Sequence, residues 1–124
     1  MGNVYVASAV RTPVGKAFKG SFTHFRPDDL AAIAMNEAVR RVEGLKDTDI
    51  EDIILGCAMP EGEQGLNIAR NAQFVAGWPA EVTAETVNRF CSSGLQAIVH
   101  GGLSIQAGLT DVVVAGGVES MSMV

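Results

Sequence analysis

Cys91 is the residue of this chain whose setting offers chemistry. An extended run, Val82 to Val87, leads into it, and a helical run with small residues, Ser92 to Gln106, leads away. A cysteine at a strand-to-helix junction is expected at the first turn of the helix, where unpaired N–H groups and the helix dipole favour a thiolate. Such a turn also lifts the side chain clear of the sheet, as a nucleophile elbow does. The expectation is a cysteine nucleophile on an α/β scaffold. Against it stands the fact that most free cysteines are small buried hydrophobes.

The other candidate groups do not complete a catalytic set. His100 lies nine residues beyond Cys91 on the same predicted helix, roughly 13 Å further along and on the opposite face. It cannot activate Cys91 within one subunit. His24 belongs to the first long loop, where a surface or hydrogen-bonded structural role is expected. A cysteine nucleophile needs a base to generate its thiolate, and no Cys/His/acid triad can be assembled here. Cys57 sits inside an apolar run without a neighbouring cation and reads as core filler. Glu119 follows a predicted strand as a single carboxylate and is expected to tie down its own loop. The two cysteines lack metal-ligand spacing, so no metal site is expected. No G-x-G-x-x-G occurs, and Gly15–Ser21 has P-loop glycine spacing but serine where lysine is required.

The elements that must position Cys91 can be placed in order. Asn3–Val10 reads as a first strand buried on both faces, stopped by Pro13 and Gly15. Residues 16–26 form a loop whose phenylalanines 18, 22 and 25 are expected to tuck onto the core. Pro27 opens a helix with Asp28 and Asp29 at its positive end. Leu30, Ile33, Ala34, Ala38 and Val42 mark its apolar spacing, and Gly44 its C′ position. Ile53–Met59 is a nearly continuous apolar strand ended by Pro60. The loop Glu61–Gly65 and a helix from about Asn67 to Val75 follow. Val82–Val87 is the third strand, and the helix after Cys91 is closed by Gly108. Val112–Ala115 is the fourth. The order β-α-β-α-β-α-β predicts an α/β fold, a mostly parallel sheet with helices on both faces. Cys91, the Glu61–Gly65 loop and residues 116–121 all follow strand C-termini, the edge where ligands gather in such sheets.

Bulk properties narrow the classes. The 124 residues suit one domain with one core. The 48% apolar and 19% charged content describes a globular chain, and the net charge of −5 argues against nucleic acid as a partner. Two cysteines without a disulfide framework fit a reducing compartment. With no signal peptide pattern and no run long enough for a membrane span, a soluble, cytoplasmic protein is expected.

The segment Val87–Ala97, VNRFCSSGLQA, resembles the nucleophile segment of the thiolases. Three further segments resemble the same family in the same order: Arg11-Thr12-Pro13-Val14-Gly15, Cys57–Arg70 and Gly116–Ser122. The resemblance covers the whole chain. Met59–Gln64 and Arg89–Ser93 look more like the 3-ketoacyl-CoA thiolases of fatty-acid β-oxidation than the acetoacetyl-CoA (acetyl-CoA acetyltransferase) type. Val118 departs from the methionine common in the latter.

The resemblance implies an acyltransferase in which Cys91 is catalytic and takes an acyl group from an acyl-CoA or 3-ketoacyl-CoA as a thioester. Coenzyme A then removes it by thiolysis, or an acetyl-CoA carbanion removes it by Claisen condensation. It implies coenzyme A and acetyl-CoA as substrates, no tightly bound cofactor, and a homodimer or homotetramer toward whose partner active site Glu61–Arg70 reaches. Thiolases are several times longer, and their activating histidine and second cysteine lie in the later part. Residues 1–124 are therefore expected to be an incomplete N-terminal thiolase domain, inactive without the missing remainder of the chain. A non-catalytic thiolase-like binding or scaffolding module and a ketosynthase-like condensing enzyme are the alternatives. Cys91 itself speaks against the first, and the second needs two downstream histidines.

Overall fold

The computed structural model describes residues 2–124. Three strands, β1 (Asp52–Gly56), β2 (Thr83–Val87) and β3 (Val113–Gly117), form one parallel sheet in the order β2-β1-β3. Helix α1 (Pro27–Arg40) precedes β1, α2 (Ile68–Val75) joins β1 to β2, and α3 (Ser93–Gln106) carries the chain from β2 past β1 to β3. The register sets Ile54 beside Glu85 on one side and Ala115 on the other.

The sheet has a helix layer on each face, and strand alternation shows which residues meet which layer. Ile53 and Leu55 join Ala31, Met35 and Val39 of α1 and Ala69 and Ala72 of α2 in one core cluster. Gly56, Val113 and Ala115 meet α3 instead. Central strand β1 is covered on both faces, which is why Ile53–Gly56 are all buried and its sequence shows no polar alternation.

Helix α3 turns its small residues inward. Ser93, Ala97 and Gly101, spaced by four, are buried on the sheet. A Cβ on Gly101 would lie 3.1 Å from Val113 Cγ1. Leu95, Ile98, Val99 and Leu103 point away and are exposed.

Helix α2 is fixed at its start by Asn67, whose Oδ1 accepts the Arg70 N–H at 3.1 Å and the Thr86 hydroxyl at 2.7 Å. Its Nδ2 donates to the Ala84 carbonyl at 2.9 Å, tying the cap to β2.

The α/β class, the parallel pairing and the two helix layers agree with the sequence reading; three details differ. The expected first strand, Asn3–Val10, pairs with no strand among the described residues and is coil, with Tyr5 and Val6 each 79% exposed. A Val/Ala-rich run becomes a strand only where a neighbour takes its backbone groups, and local composition cannot supply that neighbour. The buried stripe of α1 is Ala31, Met35 and Val39 at i, i+4 and i+8, while Ile33 of the expected face is exposed. The loop phenylalanines do not all reach the core: Phe18 is exposed, and Phe22 and Phe25 meet edge to face at 5.8 Å.

Candidate functional site

Three chain segments leave the C-terminal edge of the sheet side by side and line an open cavity of about 450 Å³. Ala58 follows β1, Phe90 and Cys91 follow β2, and Val118, Glu119 and Met121 follow β3. The cavity exists because the start of α3 lies almost on the sheet. A Cβ on Gly56 would overlap the Ser93 carbonyl group. One on Gly117 would lie 3.1 Å from Gly56 O and 3.2 Å from Gly94 Cα. Glycine at 56, and less stringently at 117, thus permits backbone-to-backbone packing that a side chain would hold apart.

Cys91 is exposed and lies one residue before Ser92, the N-cap of α3, rather than within the first helical turn. The residue before it, Phe90, has φ 49. A left-handed conformation costs a phenylalanine roughly 1–2 kcal/mol, so the surroundings must enforce it. They do so through two side chains. Asn88 Oδ1 accepts the Phe90 N–H at 3.0 Å while its Nδ2 donates to Ala58 O at 3.1 Å. Ser93 Oγ accepts the Arg89 N–H at 2.8 Å and donates to Phe90 O at 2.6 Å. The amides of Ser92 and Ser93 are spent on the Arg89 and Phe90 carbonyls. The Cys91 N–H finds no acceptor among the described residues.

Glu119 lies across the cavity. Its Oε2 accepts the Ala58 N–H at 2.7 Å; its Oε1 accepts the Met59 N–H at 3.1 Å and Gln64 Nε2–H at 2.6 Å. Gln64 is fully buried, and its Oε1 takes the Ser120 N–H at 2.7 Å. Glu119 therefore ties down its loop, as expected, and binds the β1 and β3 exits together. The Glu61–Gly65 segment reaches this edge through Gln64 but does not line the cavity. Arg26 holds it from outside, pairing with Glu63 and, at 2.8 Å, with Asp28.

Cys57 is wholly buried, with Sγ 3.5 Å from Glu119 Oε1. Burial, reinforced by the Glu119 charge, pushes its thiol up to about 11. It is a core residue, as its apolar run implied. His100 sits 3.6 Å from Glu85 of β2, and His24 is exposed in the first loop. Neither lines the cavity. Among the described residues no cluster of three or more His, Cys, Asp or Glu side chains could hold a metal ion, and no helix is long and apolar enough to cross a membrane.

Sequence reasoning placed Cys91 and Glu119 at this edge but missed Asn88, Ser93 and Gln64. Asn88 carried a local signal, since an Asn two residues before a turn amide suits an Asx-type bond. Gln64 carried none, because its burial depends on three separate chain segments meeting.

A parallel α/β sheet with an exposed cysteine on a strained strand-to-helix elbow describes a class of α/β scaffold rather than one protein. Comparison with known proteins narrows it. Residues 4–124 match the family model described as "Thiolase, N-terminal domain", and the chain belongs to the thiolase family. It is 52% identical over 124 residues to a 3-ketoacyl-CoA thiolase of Bacillus subtilis (strain 168), covering all of this chain and 32% of that protein. It is 43% identical over 122 residues to the 3-oxoadipyl-CoA/3-oxo-5,6-dehydrosuberyl-CoA thiolase of Escherichia coli (strain K12), covering 98% of this chain and 30% of that protein. The crystal structure of the Bacillus anthracis acetyl-CoA acetyltransferase superposes with a TM-score of 0.88 at 42% identity, over 95% of this chain and 29% of that one. The chain spans about a third of the length of the relatives it matches.

Proposed function

We propose that this chain is the nucleophile-bearing part of an acyl-CoA C-acyltransferase, with Cys91 as the catalytic residue. The observation that carries the reading is the elbow itself: an exposed cysteine lining the cavity, a strained residue before it, and a Cys91 N–H without an acceptor among the described residues. The Cys91 sulfur attacks the thioester carbonyl of an acyl-CoA, or the 3-keto carbonyl of a 3-ketoacyl-CoA. The Cys91 N–H donates to the oxyanion that forms. Collapse expels coenzyme A, or the acetyl-CoA carbanion when the substrate is a 3-ketoacyl-CoA, and leaves acyl-Cys91. A thiolate is both a strong nucleophile and a good leaving group, so thiolysis and its Claisen reverse are both open to it. No tightly bound cofactor enters; coenzyme A and acetyl-CoA are substrates.

No histidine lines the cavity, so in this reading the activating base comes from the two-thirds of a thiolase-length chain beyond the matched region. Residues 1–124 then carry the nucleophile but not turnover. The exposed apolar face of α3 supports further cover, by that remainder or by a second subunit of a homodimer or homotetramer. We assign fatty-acid β-oxidation as the setting, because relatives are named 3-ketoacyl-CoA thiolases, and the cytoplasm as the compartment, because Cys57 and Cys91 are free thiols. The test is stoichiometric release of coenzyme A from an acyl-CoA. Wild-type protein should release up to one equivalent and Cys91→Ala none; equal release from both would refute the reading.

A further inference from the structure

We propose that Glu119 is a positioning residue for Cys91, acting through Ala58 and Asn88; the proposal rests on the acyl-transfer reading above. The connection is a continuous run of hydrogen bonds across three strand exits. Glu119 Oε2 holds the Ala58 N–H at 2.7 Å. The carbonyl of the same residue holds Asn88 Nδ2 at 3.1 Å. Asn88 Oδ1 holds the Phe90 N–H at 3.0 Å. Phe90 is the residue at positive φ, and the next amide is the unspent N–H of Cys91.

The relay needs a carboxylate at its head. Glu119 receives the Ala58 and Met59 amides and the Gln64 carboxamide, so every neighbour aimed at it along this edge is a donor. An acceptor-only group with two oxygens fits that demand. A glutamine of the same shape must set an NH2 against one of those donors, freeing Ala58 or Met59 to shift. Ala58 is where the β1 exit meets the β2 exit, so slack there reaches Asn88 directly. With Asn88 loosened, Phe90 has less reason to keep its left-handed backbone. The Cys91 N–H then turns away from the position an oxyanion would occupy, while the sulfur stays exposed.

This predicts a loss confined to reactions that need the amide. Acetylation by p-nitrophenyl acetate passes through an oxyanion: the Cys91 sulfur bonds to the acetyl carbon, the bond to oxygen breaks, p-nitrophenolate leaves and the thiol proton goes to water. Alkylation by iodoacetamide displaces iodide at a saturated carbon and uses no oxyanion donor. Both rates scale with the thiolate fraction, so their ratio removes any change in Cys91 ionisation.

The experiment measures that ratio at Cys91 by peptide mapping for wild type, Glu119→Gln, Asn88→Asp and the double variant. Asn88→Asp keeps the acceptor for Phe90 and loses the donor to Ala58, cutting the relay at one exposed bond. Each single variant is expected to lower the ratio about tenfold, a fraction of the effect of deleting an oxyanion donor. The double variant should fall no further than the lower single, because the two residues act in series. An Asn88→Asp ratio equal to wild type overturns the relay even if Glu119→Gln misfolds and exposes Cys57 to iodoacetamide. Losses that multiply in the double variant overturn it as well. A wild-type ratio no higher than that of glutathione overturns the acyl-transfer reading and the relay with it.

Discussion

Gly56 and Ser93 are in backbone contact: the last residue of β1 leaves no room for a Cβ beneath the first residue of α3. This closeness sets the height of the elbow over the sheet, and so the floor of the cavity under Cys91. Gly56→Ala should destabilise the fold by about 3 kcal/mol, the upper range for overpacking, because backbone rather than a flexible side chain opposes it. Urea denaturation checks this; an unchanged midpoint would mean α3 is free to ride up.

Asn67 caps α2 and also bridges to β2 through Thr86 and Ala84. Asn67→Ala removes the cap bond together with both bridges, and should cost about 2 kcal/mol, the upper range for an N-cap. Asn67→Asp keeps the cap acceptor and should recover part of the loss. Equal midpoints for the alanine variant and wild type would contradict the bridging role.

The Cys57 thiol is raised to about 11 from an ordinary 9.0, chiefly by burial. Between those values the unfolded chain gives up the proton and the folded chain keeps it. Folding stability from this group is therefore full below pH 9 and falls as pH rises toward 11, by about 3 kcal/mol in all. Cys57→Ala should flatten that part of the alkaline stability profile. A profile with the same slope in both proteins would place the thiol in water.

The sequence made the alternation of strands and helices legible because β1 is buried on both faces, α2 opens at Asn67 and α3 is closed by Gly108. Cys91 was legible for the same local reason, standing between an extended and a helical run. Tyr5 and Val6 misled, since a strand-like composition does not state where the partner strand is. The α1 face was misjudged because alanines 31, 34 and 38 fit more than one stripe, and only packing against α2 selects Ala31, Met35 and Val39. Gln64 was invisible, its role set by Met59, Glu119 and Ser120 converging from distant positions.

The cavity carries an exposed thiol but no histidine. Residues 1–124 alone should not sustain thiolysis: a steady-state assay with acetoacetyl-CoA and coenzyme A is expected to stay at background after at most one equivalent. Multiple turnover would show that a base is already at hand within these residues.

The central claim is that Cys91 and not Cys57 accepts the acyl group. Incubation with acetyl-CoA, acid quench and peptide mapping test it most directly. The expected result is an acetyl thioester on the peptide carrying Cys91 and an unmodified, buried Cys57. Acetyl groups absent from Cys91, or shared equally between the two cysteines, would contradict it.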